Sequence, residues 1–430
     1  MAKIIDKLKG FRDFYPEDCA IRNYVFDHWR SVAGRYGFVE YEAPILESTE
    51  LYKKKSGDEI TNQLFCFEDK GGRDVSMRPE LTPSLARMAA TRQRDYKKPM
   101  KWFGIGRFFR YERNQRGRLR EFYQFNCDLL GDESPAADAE LVALAIDLMR
   151  DLGFTSEDFM VRLSDRRIWD DFVAQQEIGA DDAPTFLTII DKMEREKPER
   201  TAEALAQIGT TREAVDTFIA ATAEDPARLQ PVIDDLAARG LGEFITIDPG
   251  IVRGLAYYTG TVFEIFDKRK SMRAIAGGGR YDGLVKLISE GKVELPSTGF
   301  AMGDVVITDF INETKGAKQQ LVEHLSNNSS CDAYVVLASE DRRPDALGLV
   351  QKLRTAGIRT DFPFGAVKVD KQFKAAEATK ARAAIVVGEQ FPQVTVKDLA
   401  SRESADCNDS QAVEAVRQLL NKPPQGPLIA

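Results

Sequence analysis

The sequence predicts an α+β domain, an antiparallel sheet flanked by helices and carrying a helical insertion, followed by a separate C-terminal α/β domain. Three observations carry this. Turn-linked strand pairs dominate residues 62–130, and an alanine-rich stretch from about 168 to 243 has helical spacing without strand-like alternation. Beyond residue 331 strands and helices alternate one by one. At 430 residues with 43% hydrophobic composition, the chain exceeds one ordinary domain and can fill real cores. The expected domains span 1–325, with the insertion at about 168–243, and 331–425.

Residues 17–36 read as an amphipathic helix, with Ile21, Tyr24, Val25, Trp29 and Val32 at helical spacing. Phe38 to Pro44 reads as extended, its proline suiting a strand end or edge. Short strands between Asn62 and Met77 break at Lys70-Gly71-Gly72-Arg73, a hairpin turn. Thr82 as N-cap and Pro83 at the first position open a helix to about Thr91. A second hairpin spans Trp102 to Leu130, with an arginine-rich loop at its tip. After the insertion, strand signals return at Gly254–Asp267 and Arg273–Ala276, and a helix follows Gly283. The polar stretch Ser326–Ser330 is the expected linker. The pattern then becomes a parallel βαβα: strand Ala333–Leu337, helix 344–355, strand 358–362, helix 368–380 and strand Ala383–Val387.

Composition excludes several function classes. A net charge of −8, from 60 basic and 68 acidic residues, argues against a protein that coats nucleic acid indiscriminately. Yet six arginines (107, 110, 113, 116, 118 and 120) stand against the single acid Glu112, so this segment either faces an anion or forms a solvated run. The two histidines, His28 and His324, read as structural or solvated, which leaves histidine triads and histidine metal sites without material. Five scattered cysteines, none in Cys-x-x-Cys spacing, indicate neither a disulfide framework nor zinc and suit a reducing cytoplasm. The charged start, Met1 to Lys7, lacks a secretory signal's apolar stretch, and no run approaches the ~18 apolar residues of a membrane span. Chemistry must therefore run on Arg, Asp, Glu, Gln, Thr and Tyr.

The second hairpin offers such a set. Between Phe122 and Leu129, Tyr123, Phe125, Cys127 and Leu129 share one face, while Phe122, Gln124, Asn126 and Asp128 share the other. Arg110 and Glu112 on the partner strand join Gln124 and Asp128 in a polar wall, either a solvent-facing sheet or a ligand floor. As a floor it pairs a bidentate cation for phosphate with an amide and carboxylates for an amino acid. Glu80 and Thr82, before the helix start, offer acceptors for an ammonium group or a simple capping turn. Gly277-Gly278-Gly279 fits neither the P-loop nor the dinucleotide pattern and reads as a tight turn or a close backbone approach.

Taken together, Gly10-Phe-Arg-Asp-Phe-Tyr-Pro16, Tyr36-Gly-Phe38 with Pro44, Phe109-Arg110-Tyr111-Glu112 through Arg118 and Phe122, Arg253-Gly-Leu-Ala-Tyr-Tyr258, and Gly278-Gly-Arg-Tyr-Asp-Gly283 resemble the histidyl-tRNA synthetase family of class II aminoacyl-tRNA synthetases. The resemblance covers nearly the whole chain. It implies a cytoplasmic homodimeric ligase, without a membrane segment, that forms histidyl-adenylate from histidine and ATP with Mg2+. Histidine would then pass to the 3′-terminal adenosine of tRNA, with no tightly bound protein metal. The Tyr36–Pro44 segment resembles the dimer-building first motif, and the C-terminal unit resembles a class IIa anticodon-binding domain. By the same resemblance Glu80, Thr82 and Gln124 would hold the α-amino group, and Asp128, Tyr258 and Tyr257 would read the imidazole. Arg110 would grip the ATP α-phosphate, Glu112 would meet the adenine end, and Arg253 would stabilise the charge that builds at phosphorus. Arg113 and Gln115 match positions that read the acceptor stem. Lys371 lies in a basic stretch, Lys368 to Arg382, that suits RNA phosphates or a solvated helix face.

Two positions depart from the family pattern. Ala256 stands where aspartate is usual, and Asp304-Val305-Val306 follows Gly303 where an arginine normally holds the ATP γ-phosphate. Arg280 and Arg116 are the candidate substitutes. These departures support one rival to a working ligase, a histidine-sensing regulatory paralogue; a second rival is a tRNA-binding module that keeps the fold. The anticodon-type domain and the arginine loop oppose the first, and the retained Glu80, Gln124, Asp128 and Arg253 oppose the second.

Overall fold

Pro16 begins helix α1 (Pro16–Arg35) where a missing N–H costs nothing, and Glu17 and Asp18 face the positive helix end. The helix buries Tyr24, Val25, Phe26, Trp29, Val32 and Ala33. Gly37, at φ +76°, ends it and turns the chain into strand β1 (Val39–Glu40). The computed structural model describes residues 5–112, 117–194, 196–252, 257–269, 272–327 and 329–421. Two compact units, Met1–Leu321 and Val322–Ala430, are described separately.

The first unit is built on strands β2 (Leu46–Ser48), β3 (Phe65–Glu68), β4 (Asp74–Met77), β5 (Met100–Phe109), β6 (Glu121–Leu130), β7 (Phe159–Asp165), β8 (Ile245–Ile247), β9 (Thr261–Asp267), β10 (Ala276–Arg280) and β11 (Ser297–Gly303). Among the described residues the main sheet runs β1-β5-β6-β11-β10-β9-β7-β8, and β2-β4-β3 form a small second sheet. The two outer pairs, β1 with β5 and β7 with β8, are parallel, while the pairs between them are antiparallel. Helix α2 (Thr49–Ser56) packs near α3 (Thr82–Arg92), and α4 (Pro135–Asp151) is buried along most of its length beside the sheet.

The insertion is helical as expected: α5 (Arg167–Gln175), α6 (Ala183–Lys192), α7 (Pro198–Gln207), α8 (Arg212–Glu224) and α9 (Gln230–Ala238). Trp169, Phe172, Phe186, Leu205 and Val215 give it a core of its own. Helices α10 (Leu284–Ile288), α11 (Asp304–Glu313) and α12 (Lys315–Asn327) complete the series. Ser326 lies within α12, so the expected linker begins as helix.

Two expectations need correction here, and one open alternative closes. The strand placed at Arg273–Ala276 instead starts at Ala276 and contains the glycine triplet. A Cβ on Gly278 would overlap the Gly299 carbonyl, and one on Gly279 would lie 2.7 Å from the Thr261 carbonyl. Of the two readings of these glycines, close backbone approach is the one that holds. Thr82 is the first helical residue of α3 rather than its cap, which is Leu81.

The second unit comprises β12 (Ala333–Leu337), α13 (Arg343–Thr355), β13 (Thr360–Asp361), α14 (Val369–Ala378), β14 (Ala383–Val387), β15 (Gln393–Asp398), β16 (Ser404–Asn408) and α15 (Ala412–Asn421). Its sheet order is β13-β12-β14-β15-β16. The β15–β16 hairpin pairs antiparallel, so the sheet is mixed rather than wholly parallel. Buried Gln372 holds α14 to the sheet through the Leu337 N–H (2.7 Å) and the Leu337 and Val367 carbonyls (2.9 and 2.7 Å).

Candidate active site

Strand β6 divides as its alternation predicts. Phe125, Cys127 and Leu129 are buried, Phe125 stacking 5.6 Å from Trp29, whereas Gln124, Asn126 and Asp128 line a cavity on the other face. Apart from Trp102, opposite Asp128 on β5, their cross-strand neighbours carry almost no side chain. Gly104 and Gly106 pair with Asn126 and Gln124 from β5, and Gly299, Ala301 and Gly303 pair with Asp128, Asn126 and Gln124 from β11. A Cβ on Gly299 would overlap the Asp128 carboxylate. Small residues flanking polar ones turn a flat sheet face into a hollow.

The hollow encloses about 110 Å³, on the scale of one amino-acid side chain. Glu80, Thr82, Gln124, Asp128, Tyr257 and Tyr258 all line it, so the residues expected to hold histidine converge. Its two acids differ sharply. Asp128 is 3% exposed; Tyr281 donates to its Oδ1 at 2.5 Å, and Oδ2 is buried with no hydrogen-bond partner among the described residues. Burial outweighs the Tyr281 hydrogen bond and pushes its pKa up to about 7. Burial also acts on Glu80, but the Lys55 ammonium, 2.6 Å from Oε2, and the Arg110 guanidinium outweigh it and hold the carboxyl below its usual range.

A second cavity of about 630 Å³ adjoins the first, sharing Arg110, Gln124, Gly277 and Ala301 as lining residues. Arg110 therefore stands at the junction, its Nε donating to the Pro79 carbonyl at 3.0 Å and its guanidinium 5.2 Å from the Phe122 ring centre. Glu112, Arg118, Glu264, Arg273 and Val306 line the outer space, and Arg118 pairs with Glu112 at 2.7 Å. The site thus joins an amino-acid-sized pocket to a larger, arginine-walled space.

Residues 10–304 match the sequence profile of histidyl-tRNA synthetase, and residues 332–419 match that of an anticodon binding domain. The histidine–tRNA ligase of Opitutus terrae is 41% identical over 441 residues, covering 96% of this chain and 98% of that protein. The chain belongs to the histidyl-tRNA synthetase family. The histidine–tRNA ligase of Haloarcula marismortui is 37% identical, with 92% of this chain and 93% of that protein covered. Among solved structures, histidyl-tRNA synthetase from Nostoc sp. PCC 7120 aligns with a TM-score of 0.73 at 23% identity, covering 97% of this chain and all of that one. A Bacillus halodurans structure described as an ATP phosphoribosyltransferase regulatory subunit/histidyl-tRNA synthetase aligns at 0.69 and 22%, covering 91% of this chain and all of that one. These two structural likenesses establish the fold.

Within this family one of the two departures, at residues 304–306, now has surroundings. Ala256, Arg253, Arg113, Gln115 and Arg116 lie outside the described residues. Arg280 is not the substitute cation: it is buried, paired with Asp138 (3.0 Å) and Asp282 (3.2 Å), and donates to the Asp132 and Ser134 carbonyls. Asp304 accepts from Arg12 at 2.7 Å and from the Tyr123 N–H at 2.8 Å, tying the N-terminal segment to β6. Val306 lines the outer cavity, and a Cβ on Gly117 would lie 3.4 Å from Val306 Cγ2 and 3.9 Å from Arg273 Cδ. Arg273 thus lines the same cavity as Val306. Sequence reasoning missed Arg273, Tyr281 and Lys55. The Tyr281 signal lay in the Gly278–Gly283 motif; Lys55 and Arg273 stand in segments with no motif. Lys371 belongs to the second unit, exposed on α14.

Proposed function

We propose that this chain ligates histidine to its tRNA, forming histidyl-adenylate from ATP and then transferring histidine to the 3′-terminal adenosine. The observation that carries the reading is the pair of acids in one small pocket. Glu80, held anionic, suits the permanent charge of an α-ammonium group. Asp128, with a pKa of about 7 and an unsatisfied oxygen, suits an imidazole that itself titrates near neutrality. Thr82 and Gln124 support the amino-group side, and Tyr257 and Tyr258 wall the ring.

The outer cavity then receives ATP, with Mg2+ arriving as part of the substrate. Arg110, at the junction, faces the α-phosphate, and Arg253 would add the second positive charge. In-line attack by the histidine carboxylate needs alignment and positive charge rather than a strong base. Glu112 serves the adenine end, and Arg273 takes the terminal phosphate in place of a third-motif arginine. Arg113 and Gln115 would meet the acceptor stem, and Lys371 the anticodon arm, with residues 1–325 catalytic, 168–243 inserted and 331–425 anticodon-binding.

We assign a homodimer that acts in the cytoplasm. Exposed Val39, Ile45 and Leu46, on and beside the edge strand β1, support a covered surface there. No helix among the described residues is long and apolar enough to cross a membrane. The regulatory alternative draws no support over this reading, since relatives matching most of the chain are ligases. Transfer of labelled histidine to its tRNA, dependent on ATP, tests the assignment; purified protein that binds histidine yet leaves the tRNA uncharged would return it to a sensor.

A further inference from the structure

Lys55 is a buried cation behind the wall of the small pocket. Its side chain is 4% exposed, it lies on α2, and its Nζ sits 2.6 Å from Glu80 Oε2 and 3.9 Å above the centre of the Tyr257 ring. One ammonium group therefore ties together two residues that line the cavity from different parts of the chain. A lysine is almost never buried without a specific partner, because desolvating its charge is costly. Here the partner is the carboxylate that the functional reading assigns to the substrate's amino group.

We propose that Lys55 is a positioning residue for amino-acid binding: it fixes the Glu80 carboxylate in its ionised form and orients the Tyr257 ring, so that the pocket is preorganised for a second ammonium, that of the substrate. This deepens the functional reading and rests on it. The pocket contains its own control. Asp128 is a buried acid with a hydroxyl partner but no cation, and burial drives it towards the neutral form; Glu80, buried beside Lys55 and Arg110, moves the other way. Without Lys55, Glu80 would keep only Arg110 to offset its burial and would shift towards the behaviour of Asp128, with a weaker attraction for a cationic amino group. The ion pair also occupies one carboxylate oxygen, which sets the direction in which the other can accept. Lys55 acts on substrate that is bound equally in ground and transition states, so its removal acts on KM more than on kcat.

The test is histidine-dependent ATP–pyrophosphate exchange by wild type and by Lys55→Met, Lys55→Gln and Lys55→Arg, with melting temperature followed in parallel. Removing a charge-assisted contact predicts a histidine KM raised about ten-fold or more in the Met and Gln variants, with the ATP KM and kcat changed by less than about three-fold. The Arg variant, keeping the cation, should recover most of the loss. If the Met variant melts too low to assay, Gln, which keeps a donor to Glu80 but no charge, decides alone. A histidine KM in the Gln variant within about two-fold of wild type overturns the proposal. So does an equal rise in both KM values. Wild type that fails to exchange with histidine overturns the functional reading itself and takes this inference with it, so the two failures are distinguishable.

Discussion

Tyr281 donates its phenolic hydrogen bond to one oxygen of Asp128 at 2.5 Å, and the second oxygen of that carboxylate is buried with no hydrogen-bond partner among the described residues. A buried acceptor without a partner is costly in the empty protein. It becomes an asset when an N–H donor of the right shape enters.

That donor is assigned to the histidine imidazole. Asp128→Ala should raise the KM for histidine by about ten-fold or more, the usual worth of a charged hydrogen bond, while the KM for ATP stays within about two-fold. Steady-state exchange kinetics with each substrate varied would check this. Equal effects on both substrates would count against the assignment.

The same carboxyl sets a pH dependence of stability. Its folded pKa, about 7, lies above the ordinary 3.8, so the folded state holds an extra proton between those values. Stability from this group is therefore greatest below about pH 4, falls as pH rises, and is lost above about 7. At ~1.4 kcal/mol per unit the cost at pH 8 is on the order of 4 kcal/mol as an upper bound. Asp128→Asn should thus melt above wild type at pH 8, with the gain vanishing near pH 4. Thermal unfolding without substrate measures it; a gain independent of pH would refute the link.

Two arginines divide the nucleotide chemistry in this account. Arg253→Ala should slow exchange by ~10²–10³, mainly in kcat, as expected for a donor acting in the transition state, while transfer from preformed adenylate to tRNA is comparatively spared. Arg273→Ala should instead raise the KM for ATP about ten-fold with little change for histidine. An Arg273 variant with an unchanged KM for ATP would mean that the charge missing at Val306 is supplied elsewhere.

In the second unit, Phe364 is 85% exposed, and Lys368, Lys371 and Lys374 are exposed nearby in sequence. A bare aromatic beside cations suits a stacked base over paired phosphates. Phe364→Ala should lower kcat/KM for tRNA charging about ten-fold, the scale of one lost stacking contact, and leave pyrophosphate exchange unchanged. Charging kinetics that match wild type would remove Phe364 from the RNA-binding surface.

Much of this architecture was legible because local rules and tertiary packing agreed. The alternation from Phe122 to Leu129 placed Gln124 and Asp128 on one face, and the cavity opens there. The helical insertion was legible from its alanine-rich, strand-poor composition. Strand β10 was misplaced because Gly277–Gly279 has no strand preference; only the crowding against Gly299 and Thr261 shows why side chains are excluded. Strand β16 escaped because its largely exposed, polar residues lack a hydrophobic face, as edge strands often do, and its partner β15 offers only the short alternation of Val394 and Val396. Arg280 looked available for ATP because a sequence does not show Asp138 and Asp282 closing on it. Lys55 was invisible for the same reason: its partners, Glu80 and Tyr257, are 25 and about 200 residues away.

The most direct measurement is ATP–pyrophosphate exchange by the purified protein across a panel of amino acids. If Glu80 takes the ammonium group and Asp128 the imidazole, as proposed, exchange should appear with histidine and fall to background with glutamine, asparagine and lysine. Exchange with another amino acid in preference to histidine, or none with histidine present, would contradict the account.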